Sequence, residues 1–175
     1  DKSALSFGMG YHSQTQPLYT RYYIPEGNTS AINQELDLTY SKHFVLGYSH
    51  QLNKNFGIKA EAYYQDLTGI PIEMDSSAFS LTNAGSGFAR VFPNALNNNG
   101  TGYNYGIELT VQRYFNKNWH ALFSGCLYNS QYTPSDGIER NTSFNGIYAV
   151  NFLAGREFEV GKNKVLGLGV KVTGA

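Results

Sequence analysis

The side chains with which this chain could do chemistry are four histidines, one cysteine and many hydroxyl and amide groups. A histidine serves as a general base or metal ligand when a serine, carboxylate or second ligand is spaced to meet it. His12, His43, His50 and His120 fall singly in extended segments or at their ends, with no second ligand at a metal-binding spacing, so each reads as structural or interfacial. Cys126 has no second cysteine with which to form an internal disulfide, a CxxC redox pair or a zinc ribbon. It also lacks a sequence-local His or Asp that would make it a nucleophile, and reads as a packed thiol. No serine stands in Gly-x-Ser-x-Gly, and Gly85-Ser-Gly87 precedes no helix that could cradle a phosphate. Asn28, Asn99 and Asn141 each open an Asn-x-Ser/Thr triplet of the kind found in polar loops. The expectation is a chain that is not an enzyme and uses no metal or cofactor.

Charge and composition narrow the partners. Thirteen basic residues cancel thirteen acidic ones, and no block of Lys or Arg forms the clustered basic face that phosphate backbones require, so nucleic acid is set aside. Fourteen Tyr, eleven Phe and one Trp, with only 15% charged residues, describe a chain that folds rather than a disordered tail. Residues 1–175 read as a single region. No run of 18 apolar residues is present, and residues 1–20 lack the basic start and apolar core of a signal peptide.

The elements that must position these groups are strands. Phe56, Ile58, Ala60, Ala62 and Tyr64 share one parity, against Gly57, Lys59, Glu61, Tyr63 and Gln65 on the other. Tyr103, Tyr105, Ile107, Leu109 and Val111 repeat the pattern against Asn104, Gly106, Glu108, Thr110 and Gln112. Alternate side chains of an extended strand point to opposite faces, so each segment has one apolar and one polar face. Similar sorting at Leu5–Tyr11, His43–His50, Trp119–Tyr128, Phe144–Phe158 and Val165–Val172 gives an all-β chain, an antiparallel meander of about seven long strands.

Short and long connections alternate. Leu52–Asn55, Asn116–Asn118 and Gly161–Asn163 are hairpin turns, since Asn and Gly tolerate positive φ. Between them lie connections over about 12–42, 68–102 and 129–142, rich in Asn, Ser, Thr, Gly, Pro and Tyr. In a meander every second connection emerges at the same end, so tight turns gather at one end and long loops at the other. Outer-membrane barrels have that asymmetry. Aromatics near strand ends, such as Tyr63-Tyr64, Tyr114-Phe115, Trp119 and Phe158, are placed as interfacial girdles would be. The polar face, with Lys59, Glu61, Gln65, Glu108, Gln112 and Lys171, would line a watery lumen in such a barrel, and is otherwise a plain solvent-exposed sheet face. Loops on a rigid scaffold carry recognition. Tyr19, Arg21, Tyr22 and Tyr23 on the first, Arg90 and Phe92 on the second, and Tyr132 on the third are therefore the candidate ligand-binding residues. Aromatic, Asn-rich loops suit sugars or peptides, while loop packing accounts for the same residues.

Ser41-Lys-His-Phe-Val-Leu-Gly-Tyr-Ser-His-Gln-Leu-Asn-Lys-Asn-Phe56 with Ile58-Lys-Ala-Glu-Ala-Tyr-Tyr64 resembles barrel strands of TonB-dependent outer-membrane receptors of Bacteroidetes type. Ser80-Leu-Thr-Asn-Ala-Gly85 with Gly100-Thr-Gly-Tyr-Asn-Tyr-Gly-Ile-Glu-Leu109, and Arg140-Asn-Thr-Ser-Phe-Asn-Gly146, resemble further strand-and-turn wording of that family. The resemblance covers most of the chain and includes no catalytic fingerprint. It implies a 22-stranded barrel in the bacterial outer membrane, plugged by an N-terminal domain, that imports a nutrient (sugar, peptide or metal chelate) when TonB pulls on the plug. Its implied partners are outer-membrane lipid, the plug domain, TonB and the nutrient. The chain departs from the family in having too few strands, no plug or TonB-contacting box, and no terminal aromatic strand after Lys171-Val-Thr-Gly-Ala175. The expectation is a C-terminal part of the barrel, without a plug domain. Seven antiparallel strands leave two open edges and an apolar face, so the isolated piece is expected to oligomerise, pair its edges or roll into a small barrel. Two other classes compete. One is a self-contained soluble β-barrel or sandwich that binds a ligand. The other is an outer-membrane barrel enzyme, which needs a Ser or Asp beside a His on neighbouring strands; the sequence pattern offers no such pair.

Overall fold

The computed structural model describes residues 2–87 and 90–175; residues 88 and 89 of the second long connection lie outside the described residues. The elements run β1 (Lys2–Gln14), a four-residue helix α1 (Leu18–Arg21), β2 (Thr39–Asn53), β3 (Phe56–Glu73), a 3-10 turn at Leu81–Asn83, β4 (Leu96–Asn116), β5 (Trp119–Thr133), the two-residue β6 (Arg140–Asn141), β7 (Tyr148–Glu159) and β8 (Val165–Gly174). All strands join one sheet, with order β1-β2-β3-β4-β5-β7-β8 and β6 paired to β5. Every pair is antiparallel. The expected all-β meander is the fold. The sheet does not close, and β1 and β8 are its edges.

Two of the three tight turns use positive φ; the β2–β3 turn at Leu52–Asn55, expected to do the same, has no positive-φ residue. Lys117 and Asn118 both lie in the left-handed region (φ 51° and 65°), as a two-residue hairpin of primed type requires. Asn163 (φ 67°) and Gly161 (φ 130°) serve the β7–β8 turn.

The strands run further than alternation indicates. β3 continues beyond Gln65 to Glu73, and β4 begins at Leu96 rather than Tyr103. Register shifts at Thr68/Ile70 and Ile70/Ile72 break the period there. Gly69 sits at the first shift with φ +70°, and a Cβ on it would meet the Leu38 carbonyl oxygen at 2.8 Å, so glycine is required. At the other end, β7 begins at Tyr148, not at Phe144. Ile147 has φ 70°, a conformation that interrupts an extended run, and leaves Phe144 in the connection.

Register carries each apolar parity onto the next. Phe7, Leu46, Ala62, Ile107, Leu127 and Tyr148 form one continuous row across β1 to β7. Most of this face is exposed, with Leu46 at 51%, Ile107 at 57% and Leu127 at 57%. The buried hydrophobic residues lie elsewhere: Leu36, Ile70, Ile72, Leu96 and Tyr132 all belong to the long connections or the strand ends that feed them. The sheet itself has no core among the described residues; its three long connections fold together into a cap that does.

Candidate functional site

Amide side chains hold the cap together. Asn33, at 2% exposure, accepts from the Leu96 backbone N–H (2.8 Å) and donates to the carbonyls of Asn94 (3.3 Å) and Thr20 (3.5 Å). One side chain thus joins the first connection to the second. Asn98 repeats the device, accepting from the Asp37 N–H (2.8 Å) and donating to the carbonyls of Asp37 (3.1 Å) and Gly69 (2.7 Å). The third connection joins through Ser135, which accepts from the Ser77 N–H (2.9 Å) and donates to the Asp75 carbonyl (2.6 Å). Buried loops need such partners because their backbone groups have no ladder.

Four of the seven candidate ligand residues meet on this cap. Phe92 packs against Tyr23 (centroids 5.0 Å) and edge-on to Tyr19 (6.2 Å), and the Arg90 guanidinium lies 5.9 Å from the Tyr19 ring. The first and second connections thus share a small aromatic cluster with a cation at its border, suited to stacking and hydrogen bonding. Arg21, half-buried, and Tyr22, exposed, sit at the end of α1 outside those ring contacts. Tyr132 is a correction. It belongs to β5 rather than to the third loop and is only 6% exposed, its hydroxyl donating to the Ala78 carbonyl (3.0 Å). Its ring anchors the second connection and is not available to a ligand.

The third connection carries an ion-pair clasp. Arg140 donates through both terminal nitrogens to Asp136 (2.8 and 2.7 Å), and the Ile138 N–H donates to the same carboxylate (3.0 Å). The Arg140 hydrogen bonds, then the Ile138 N–H, hold the Asp136 carboxyl below its ordinary range, and Arg140 is raised in turn by Asp136.

The polar sheet face is a connected surface. Gln65 donates to Ser41 Oγ (2.8 Å), lies 2.9 Å from His43 Nε2, and accepts from Asn104 (2.7 Å). Lys59 pairs with Glu61 at 2.6 Å. His12 and His43, apart in sequence, pack edge to face at 5.0 Å. Among the described residues no group of three or more His, Cys, Asp or Glu could hold a metal.

One pair went unseen in the sequence. Ser3 Oγ lies 2.7 Å from His50 Nδ1 on the neighbouring strand, near the tight-turn end. His50 also lies parallel to Tyr48 (6.4 Å), whose hydroxyl donates to Ser3 (3.4 Å). The contact is cross-strand and 47 residues apart in the chain, so no local motif could announce it. The pair is a serine beside a histidine, but Ser3 occupies Nδ1, where a triad carboxylate would orient the imidazole, and the Tyr48 hydroxyl meets Ser3 rather than the ring, so no triad is assembled.

Comparison with protein-family models, curated proteins and solved structures found no match to this chain.

Proposed function

We propose that this chain is part of an outer-membrane β-barrel receptor of the TonB-dependent kind, whose work is to take up a nutrient across the bacterial outer membrane. The observation that carries the reading is the uncovered apolar face, drawn from all seven long strands. Its depth suits a bilayer. Tyr103 to Arg113 of β4 is eleven residues, and its ten steps make about 34 Å of strand at ~3.4 Å each, or about 26 Å of depth at a tilt of ~40°, against a lipid-facing band of ~25 Å.

Both borders of the band have the chemistry of a membrane interface. Toward the cap, Tyr11 stacks on Tyr40 (5.6 Å), and Tyr103 stacks on Tyr64 (6.4 Å) and Tyr105 (6.2 Å). Toward the tight turns, the Arg113 guanidinium lies 3.8 Å from the Trp119 ring centroid and 5.6 Å from that of Phe56, while Arg156 covers Phe158 at 5.0 Å. Aromatic rings beside long cations suit the headgroup boundary. The polar face, with its Gln65 network, then looks into the lumen, and the cap with its aromatic cluster looks outward. The strand and turn wording of Ser41–Tyr64 supports the family. A self-contained soluble module, the other reading, needs its apolar face covered from within the chain.

Purification without detergent, with light scattering for mass and circular dichroism for sheet, tests the proposal. The expected result is sheet-rich material that is monodisperse only in detergent. A sheet-rich monomer in plain buffer would overturn the reading in favour of a soluble ligand-binding module.

A further inference from the structure

The charged side chains of the apolar face are sorted by border. Between the tight turns and the first register shift, the described strand residues of this face carry charge only at Lys42 and Asp66, toward the cap, and at Arg113 and Arg156, toward the turns. Lys42 and Asp66 neutralise each other at 4.0 Å. Arg113 and Arg156 take part in no ion pair among the described residues. The acids of that end, Glu157 and Glu159, have the opposite parity and fall on the polar face. The turns beyond the border add Lys54, Lys117, Lys162 and Lys164 and no acid.

The two arginines share one aromatic ring. The Arg113 guanidinium stacks 3.8 Å from the Trp119 centroid, and Arg156, exposed, stands directly opposite Trp119 on β7. Beside them a shallow groove of about 470 Å³ runs over Ala154, Leu168 and Val170. It forms because Ala154 is small between Phe152 and Arg156 on the same face. Arg156 is the one charged residue lining it.

We propose that this border is a binding site for an anionic phospholipid of the phosphatidylglycerol kind, an assignment that rests on the membrane reading above. The phosphate meets Arg156 and Arg113, whose planar forks match its oxygens, and an acyl chain lies on Ala154, Leu168 and Val170. The headgroup class follows from charge. Choline or ethanolamine would bring an ammonium to a border that already holds two unpaired guanidiniums and the turn lysines, whereas glycerol brings none. Soluble phosphate would satisfy the arginines and leave the groove empty.

Trp119 is the sole tryptophan, so its fluorescence reports this site alone. The test is quenching of Trp119 by lipids with brominated acyl chains, in the purified full-length protein reconstituted in phosphatidylcholine bilayers. Brominated phosphatidylglycerol, added at the same low fraction as brominated phosphatidylcholine, should quench with a relative affinity about tenfold higher. Arg156→Gln, at an exposed position, should cut that preference about fivefold, while Lys117→Gln with Lys162→Gln should leave it within about twofold of the parent. Glycerol phosphate in about hundredfold excess over lipid should not restore the fluorescence. The proposal is overturned if the two lipids quench equally, if Arg156→Gln keeps the parent's preference, if the lysine variant loses as much as the arginine variant, or if glycerol phosphate displaces the lipid. The comparison of the two lipids on the parent does not depend on any variant folding. Equal quenching by both lipids would sink this site alone, whereas no quenching by either would place Trp119 away from lipid and sink the membrane reading with it.

Discussion

At the scale of the residue, the cap depends on side chains that replace absent backbone partners. Asn33 is the clearest case, because it accepts from one buried N–H and donates to carbonyls on both sides of it. Asn33→Ala should strand the Leu96 N–H and destabilise the cap by about 2 kcal/mol, measured by thermal unfolding. Asn33→Asp keeps the acceptor but cannot donate to Asn94, so it should recover only part of the loss. The Asp136–Arg140 clasp makes a prediction about pH. Because hydrogen bonds lower the folded carboxyl below its unfolded value, the stability it contributes is complete above the ordinary carboxylate value of about 4 and is lost as pH falls through the folded value. Hydrogen exchange over residues 134–147 should therefore accelerate on acidification. Asp136→Asn should show the fast behaviour already at neutral pH, with no further acid step.

At the scale of the element, the strands stay in register through close backbone approach as well as side-chain pairing. A Cβ on Gly106 would stand 2.7 Å from the Leu127 carbonyl oxygen and 2.7 Å from the Tyr63 hydroxyl, because the Tyr63 ring lies across this glycine. The carbonyl belongs to the β5 backbone and cannot step aside. Gly106→Ala should cost about 1–3 kcal/mol in denaturant unfolding, whereas Gly8→Ala, with nothing within 4 Å, should be close to neutral. Gly106 also marks what the sequence could reveal. The two-residue period from Tyr103 to Val111 made the strand, its faces and its pairing legible, since one buried or lipid-covered face imposes alternation. It carried no trace of which glycine lies under a ring from another strand. The same limit explains the cap. Asn33, Asn98 and Ser135 stand in segments whose composition reads as solvated loop, and only tertiary folding makes Asn33 a buried connector and Asn98 and Ser135 half-buried ones. Tyr132 was misread for the same reason: its neighbours Gln131 and Thr133 are polar, yet its own face turns inward at the end of β5. Tyr19, Tyr23, Arg90 and Phe92 were legible as candidates by type, but their meeting was not.

At the scale of the whole molecule, the division of labour is unusual for a water-soluble chain: the buried apolar residues lie under the cap, while the much longer sheet leaves its apolar side uncovered. A single pair of substitutions asks what covers it. Ile107 lies near the middle of the apolar band, 57% exposed, while Ser124 lies on β5 with its side chain on the opposite face, as the pairing of Thr110 with Ser124 and Ile107 with Leu127 requires. If lipid covers the band, Ile107→Lys places an ammonium in hydrocarbon and should destabilise the bilayer-assembled barrel by about 2–4 kcal/mol, while Ser124→Lys, facing water in the lumen, should cost close to nothing. If water bathes both faces, the order changes: Ile107→Lys replaces an exposed apolar side chain with a charged one and should leave stability unchanged while improving solubility. Urea titration of the two variants in lipid bilayers, each against the parent, reads the difference directly. A loss confined to Ile107→Lys is the expected result, and equal behaviour of the two variants would remove the membrane from the account of this sheet.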